Sequence, residues 1–242
     1  MIGTLAWMTL RALLNRRRTL LLVLLGLLVV AIVGIFQLSD PEPDEALDVT
    51  RRLLSDLAIG VLLPLVAVII GTAVIGSELD DGTIVYLLAR PVPRWRIVLV
   101  KLVVAWVVVA LLVAPATLIA GLIGQDDPAL AMGFAAAAIA GALEYTAIFV
   151  ALSLITSRAL IIGLAYVVVW EGIVAGLFAG TRPLSVRQHV LALAEALGGS
   201  EAAGIAEVAL EVAIVAMALV ILAAAVLAVR RLQTVELRGE TA

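Results

Sequence analysis

Six runs of about 20 or more mostly apolar residues, at 19–38, 57–76, 97–124, 129–156, 159–179 and 208–229, decide most of what this chain can fold into. A bilayer core about 30 Å thick is crossed by about 20 residues of helix. Within hydrocarbon every backbone polar group must be satisfied inside the protein, which leaves helices or closed barrels. The runs are continuously apolar, whereas barrel strands alternate apolar and polar residues over segments of about ten. The expected class is an all-α membrane protein with six transmembrane helices. Composition agrees, because only 14% of residues are charged and 64% are hydrophobic, against about 25% charged in a soluble domain. Disorder is excluded on the same ground: a net charge of −3 and a mean hydropathy of +1.21 are the reverse of what keeps a chain unfolded.

The chain has no cysteine, so it has no disulfide framework, thiolate metal site or cysteine nucleophile. Its mildly acidic balance gives no reason to expect nucleic acid as a partner. Arg16, Arg17 and Arg18 precede the first run as in a secretory leader. That run is full length, however, and Gln37-Leu38-Ser39-Asp40 follows it without a small-x-small cleavage pattern, so a retained helix is expected. Residues 1–242 read as one transmembrane domain without an internal repeat. Residues 1–18 read as an amphipathic interfacial helix, with Ile2, Leu5, Leu10, Leu13 and Leu14 set among Trp7, Arg11 and Asn15.

Basic residues near helix ends are retained on the cytoplasmic side. Arg11, Arg16, Arg17, Arg18, Arg90, Arg94, Arg96, Lys101, Arg158, Arg230, Arg231 and Arg238 collect on one side of a six-span chain, and only Arg51, Arg52, Arg182 and Arg187 on the other. Both termini are therefore expected in the cytoplasm. The acidic segment from Asp40 to Asp56, the turn holding Asp126 and Asp127, and an outer segment at 180–207 are expected outside.

The cytoplasmic connection at 77–96 has more pattern than a connector needs. Ser77, Glu78, Asp80 and Asp81 supply a capped, acidic first turn. Ile84, Leu87 and Leu88 follow at i, i+3 and i+4 as an apolar stripe. Pro91 and Pro93 stop the helix, and Trp95 and Arg96 anchor the next span. A short apolar helix presented to cytoplasm implies a groove to fill, on another chain or at the membrane surface.

Glu78, Gly82-Thr83-Ile84, Leu87-Leu88, Arg90-Pro91-Val92, Arg94 and Lys101 together resemble the loop of permease subunits in ATP-binding-cassette transporters of the type-two exporter class. Trp170-Glu171 and Leu184-Ser185 extend the likeness, and the six-span layout carries it over nearly the whole chain. The resemblance implies a coupling helix at 77–93, with Glu78, Gly82, Thr83, Ile84, Leu87, Leu88, Pro91 and Arg94 docked on a separate ATPase subunit. It implies a second permease, identical or paralogous, around the transport path, with ATP and Mg bound by the partner ATPase and no cofactor in this chain. The first outer loop is short where some relatives insert a large extracellular domain, and Pro93 stands where many have Ser. A phosphate-cradling loop needs G-x-x-x-x-G-K-[ST], and the sole lysine, Lys101, lies in Arg-Ile-Val-Leu-Val-Lys-Leu, so this chain is not itself a P-loop ATPase. Lys101 is expected to reach back to the cytoplasmic headgroups.

Glu144 falls near the middle of the fourth run, where an ionisable group is costly unless paired, protonated or hydrated. It reads either as a protonated carboxyl bonded to a neighbouring helix or as part of the path or gate, with Tyr145 and Thr146 as candidate companions. Glu171 allows two readings as well. Either the fifth span runs on to Ala179 with a buried carboxylate, or it breaks near Glu171 and the apolar remainder folds back, which is what the resemblance favours through a re-entrant segment after span five. Gly172, Gly176 and Gly180, at spacing four, are expected to pack closely on a neighbour. Glu207 and Glu211 are expected to reach water, and the single histidine, His189, is expected to be solvated.

The leading function is the membrane subunit of an ATP-driven exporter. The alternative is a proton- or ion-coupled secondary transporter using Glu144, against which stands the missing repeat symmetry of many such proteins. An intramembrane enzyme finds no support, since one histidine cannot make an H-E-x-x-H helix and the spans hold no paired Asp, Ser/His or metal constellation. An interior rich in Ala and Val suits a hydrophobic or amphipathic cargo. Low Lys with high Ala, Arg and Val points to a prokaryotic plasma membrane.

Overall fold

The computed structural model describes residues 2–13, 16–80, 93–125 and 128–234. Helix α1 (Ile2–Leu13) precedes α2 (Arg16–Gln37), of which 19–37 form the first span. Helix α3 (Pro43–Arg52) runs without a break through a π-helical stretch (Leu53–Leu62) into α4 (Leu63–Asp80), and Pro43–Gly76 is the second span. Helices α5 (Arg94–Gly124) and α6 (Pro128–Ile155) are the third and fourth. The fifth, Ala159–Leu177, joins α7 (Ala159–Ala165) to a second π-helical stretch (Tyr166–Val174) and a last α-turn. A 3-10 segment (Ala179–Leu184) leads into α8 (Val186–Leu197), and α9 (Leu210–Thr234) is the sixth span. No strand occurs among the described residues.

The second span starts at Pro43 rather than near 57. Pro43 lies in the first turn, where a missing N–H costs nothing, and Asp44 and Glu45 suit the positive end of the helix. No Gly or Pro follows before Gly60, so the acidic segment continues as helix instead of looping. Pro64 lacks an N–H and would crowd the carbonyl four residues earlier. The wider π turns at 53–62 immediately precede it and offer one way to relieve that crowding.

Spans two and four are the buried centre, with 72% and 67% of their most apolar windows inside the protein, against 22%, 22% and 17% for spans one, five and six. The exposed surface of the bundle is apolar, with Leu21, Leu111, Ile161, Val168 and Leu222 among its outward-facing side chains. The interior is mostly apolar as well, but it is there that Thr50, Lys101, Thr117, Glu144, Glu171 and His189 lie, shielded from lipid by protein partners. Glycines let backbones approach where α6 meets its neighbours: a Cβ at Gly121 would lie 2.6 Å from that of Ala131, and one at Gly133 would lie 2.4 Å from the Gly198 Cα.

At the far face, opposite α1, Gln37 donates to the carbonyls of Ile123 and Gly124, and Thr50 donates to Gly124, tying spans one, two and three. At the near face α1 packs on α4 and α5. Lys101 is 1% exposed and donates to the Val74 carbonyl at 2.8 Å. The expectation that it reaches the headgroups is therefore corrected: its ammonium joins spans two and three. Arg94 donates to the carbonyls of Leu232 and Gln233, which α9 itself leaves without helical partners.

Candidate functional site

Helix α8 lies antiparallel along α6, with Gly198 at Gly133 and Val190 at Gly141. Its N-terminus therefore sits deep, beside the middle of the fourth span. A helix start at that depth presents unsatisfied N–H groups and a positive dipole end. Glu171 meets them. Its carboxylate accepts from Val186 N at 2.9 Å, Arg187 N at 3.4 Å, Ser185 Oγ at 2.5 Å and Tyr166 Oη at 3.0 Å. Ser185 is also the N-cap, its oxygen accepting from Gln188 N. The fifth span thus runs past Glu171 to Leu177, and the break near Glu171 is corrected. Glu171 lies within π turns, whose extra residue offsets the helical register there while the backbone stays helical. The chain turns back only at 178–185, after which α8 returns toward the centre.

His189 is fully buried, not solvated. Its Nδ1 lies 2.9 Å from Glu144 Oε1 and its Nε2 lies 3.0 Å from the Pro183 carbonyl oxygen. A sequence signal for this existed. His189 shares the i, i+3, i+4 stripe of α8 with Val186 and Val190, both buried, so it lies on the apolar side of an amphipathic helix. Burial opposes its charge, but the bond and negative charge of Glu144 outweigh that and raise its pKa above the usual histidine value. Glu144 Oε2 and the Tyr145 hydroxyl are buried without a hydrogen-bond partner. Thr146 bonds instead to the carbonyls of Ala142 and Leu143 on its own helix.

Above this layer the far face opens into a cleft of about 360 Å³. Both π-helical stretches contribute to it, through Ser55 and Asp56 on one and Glu171 on the other. Arg51, Arg52, Arg182 and Arg187, the four arginines that the sequence assigns to one side, all line it. Arg187 pairs with Asp56, and Arg182 with Glu207, which the sequence leaves to water. Arg51 donates to the carbonyls of Glu201 and Ser200. The Arg187 and Arg51 contacts clasp α8 and the turn after it to span two, and the Arg182–Glu207 pair joins the turn before α8 to the segment before span six.

Gly172, Gly176 and Gly180 are exposed: a Cβ at Gly176 or Gly180 would meet nothing within 4 Å, and one at Gly172 only the Val167 carbonyl. Among the described residues, a methyl at any of the three would touch no other helix. Gly82, Thr83, Ile84, Leu87, Leu88 and Pro91 lie outside the described residues, and the backbone at Glu78 continues α4. Among the described residues no group of His, Asp and Glu could hold a metal ion.

A bundle of six membrane-length helices, apolar on its exposed surface and with polar side chains buried between helices, defines a multi-pass membrane protein. Comparison with protein families gives its kind: the model of a family described as ABC-2 family transporter protein matches residues 14–181, and the chain belongs to that family of transporter permeases. The match covers the first five spans and ends before Ser185 and His189. A search of curated proteins found no match.

Proposed function

We propose that this permease is the membrane half of an ATP-driven exporter, acting as a dimer and driven by a separate ATP-binding-cassette ATPase that carries ATP and Mg. The observation supporting this most directly is family membership over residues 14–181 in a chain with no P-loop. In this reading the 77–93 segment is the coupling helix, and Glu78, Gly82, Thr83, Ile84, Leu87, Leu88, Pro91 and Arg94 meet the ATPase. Arg94, bonded to the end of α9, would pass movement of that segment to the sixth span. The exposed Gly172, Gly176 and Gly180 would find their neighbour in the second permease. The near face would be cytoplasmic, with both termini, and the cleft external; Leu177, Phe178 and Leu184 are exposed at the turn before α8, which suits a segment returning within the outer leaflet. The membrane would be a prokaryotic plasma membrane.

Cross-linking in native membranes followed by mass spectrometry of what is joined to 77–93 tests the reading. A P-loop ATPase is the expected product. Gly82→Pro and Leu87→Asp should abolish ATP-dependent export while the protein still inserts; export at the wild-type rate would overturn the coupling role. The second reading, proton-coupled secondary transport, draws on the buried Glu144–His189 pair. It requires transport by the purified permease without any ATPase.

A further inference from the structure

Two contacts of one imidazole fix where its hydrogens can be. The Pro183 carbonyl oxygen facing Nε2 can only accept, so Nε2 must carry a hydrogen for this 3.0 Å contact to be a bond. If the ring is neutral, Nδ1 is then bare, and the contact at 2.9 Å needs a donor from Glu144, that is, a protonated carboxyl. If the ring is charged, Nδ1 donates and Glu144 is a carboxylate. Either way the pair holds the Nε2 hydrogen and one further proton between Oε1 and Nδ1, and its net charge is zero. A charged ring beside a protonated carboxyl would bury a net positive charge, and a carboxylate facing a ring protonated only at Nδ1 would set the bare Nε2 lone pair against the Pro183 oxygen and leave a net negative charge.

The surroundings favour neutrality. Both side chains are fully buried, and Glu144 Oε2 has no partner, which is far costlier for a carboxylate than for the carbonyl oxygen of a carboxyl. The groups facing the pair offer no compensating cation. Span five contributes Glu171, already bonded to α8, and Tyr166; span four contributes Tyr145. The nearest arginine on α8, Arg187, is engaged with Asp56 of span two, and Arg182, before α8, with Glu207, before span six.

We propose that Glu144 and His189 form a one-proton binding site that clamps α8 to the fourth span, and that removing this proton to water at alkaline pH releases the clamp. Shuttling between Oε1 and Nδ1 leaves the site occupied; only loss of the shared proton empties it. The inference rests on these contacts and not on the exporter reading.

His189 is the only histidine, so histidine labelled with nitrogen-15 in the full-length protein in phospholipid bilayers gives signals from this site alone. At neutral pH Nε2 should carry hydrogen, with Nδ1 either also protonated or an acceptor. A neutral ring with hydrogen on Nδ1 and a bare Nε2 would overturn the proposal. The chain has no cysteine, so Val190→Cys introduces a single thiol at a buried position of α8. Its labelling by a maleimide, relative to a single thiol at exposed Ala203, should rise at least tenfold between neutral and alkaline pH. In the Glu144→Gln background, where the amide donates to Nδ1 at every pH, that rise should vanish. A pH-independent ratio in the wild-type background, or an unchanged rise in the Glu144→Gln background, would overturn the clamp.

Discussion

The Glu171 carboxylate lies 2.5 Å from the Ser185 hydroxyl, so that residues 14 apart in sequence close the turn between the fifth span and α8. The same carboxylate takes the first two N–H groups of α8, and it is both counter-charge and cap to a helix that begins inside the bundle.

Glu171→Ala should therefore lower stability by about 2–4 kcal/mol, since bonds to a charged acceptor are worth about 1.5–3 kcal/mol and the buried N–H groups would be left unpaired. Thermal unfolding in mild detergent reads this. Glu171→Gln, which keeps an acceptor oxygen, should recover part of the loss.

Gly133 and Gly176 are a matched contrast. A methyl at Gly133 would meet the backbone of Gly198, which cannot rotate away, while at Gly176 it would meet open space. Gly133→Ala should cost about 1–3 kcal/mol. Gly176→Ala should leave the monomer unaffected, and any effect on dimer formation by cross-linking would place the fifth span at the permease–permease contact.

Lys101→Met keeps the stem but removes the donor to Val74, leaving a buried carbonyl short of a partner. The expected loss is about 1–3 kcal/mol, read by thermal unfolding. A surface lysine at the headgroups would show almost none.

Stability should fall on the alkaline side. The pKa of His189 is raised in the folded protein above its ordinary 6.5, so its contribution is complete below that value and is lost as pH rises through the raised one. Unfolding midpoints of wild type and His189→Gln, measured across that range, should converge as pH increases. A gap that widened instead would reverse the sign and remove Glu144 as the cause.

Much of the fold was legible because hydrocarbon is an unforgiving solvent: it demands long apolar runs, and the count, order and helical nature of six spans follow from them. Glu144 and Glu171 stood out for the same reason, as carboxylates among apolar neighbours. What each of them touches was decided elsewhere. Polarity made residues 40–56 look like a loop, yet no breaker interrupts them after Pro43 and most of the segment continues a helix. His189 and Lys101 are polar side chains that composition assigns to water or headgroups, yet each is buried because a partner from a distant segment, Glu144 or the Val74 carbonyl, replaces that solvation. The four far-face arginines are separate pairs along the chain, and only the return of α8 between spans two and four gathers them around one cleft. Periodicity and hydropathy are local sums and fix which segments enter the membrane; pairing of buried polar groups spans separations of 14 to 74 residues, and tertiary packing alone brings those partners within bonding distance.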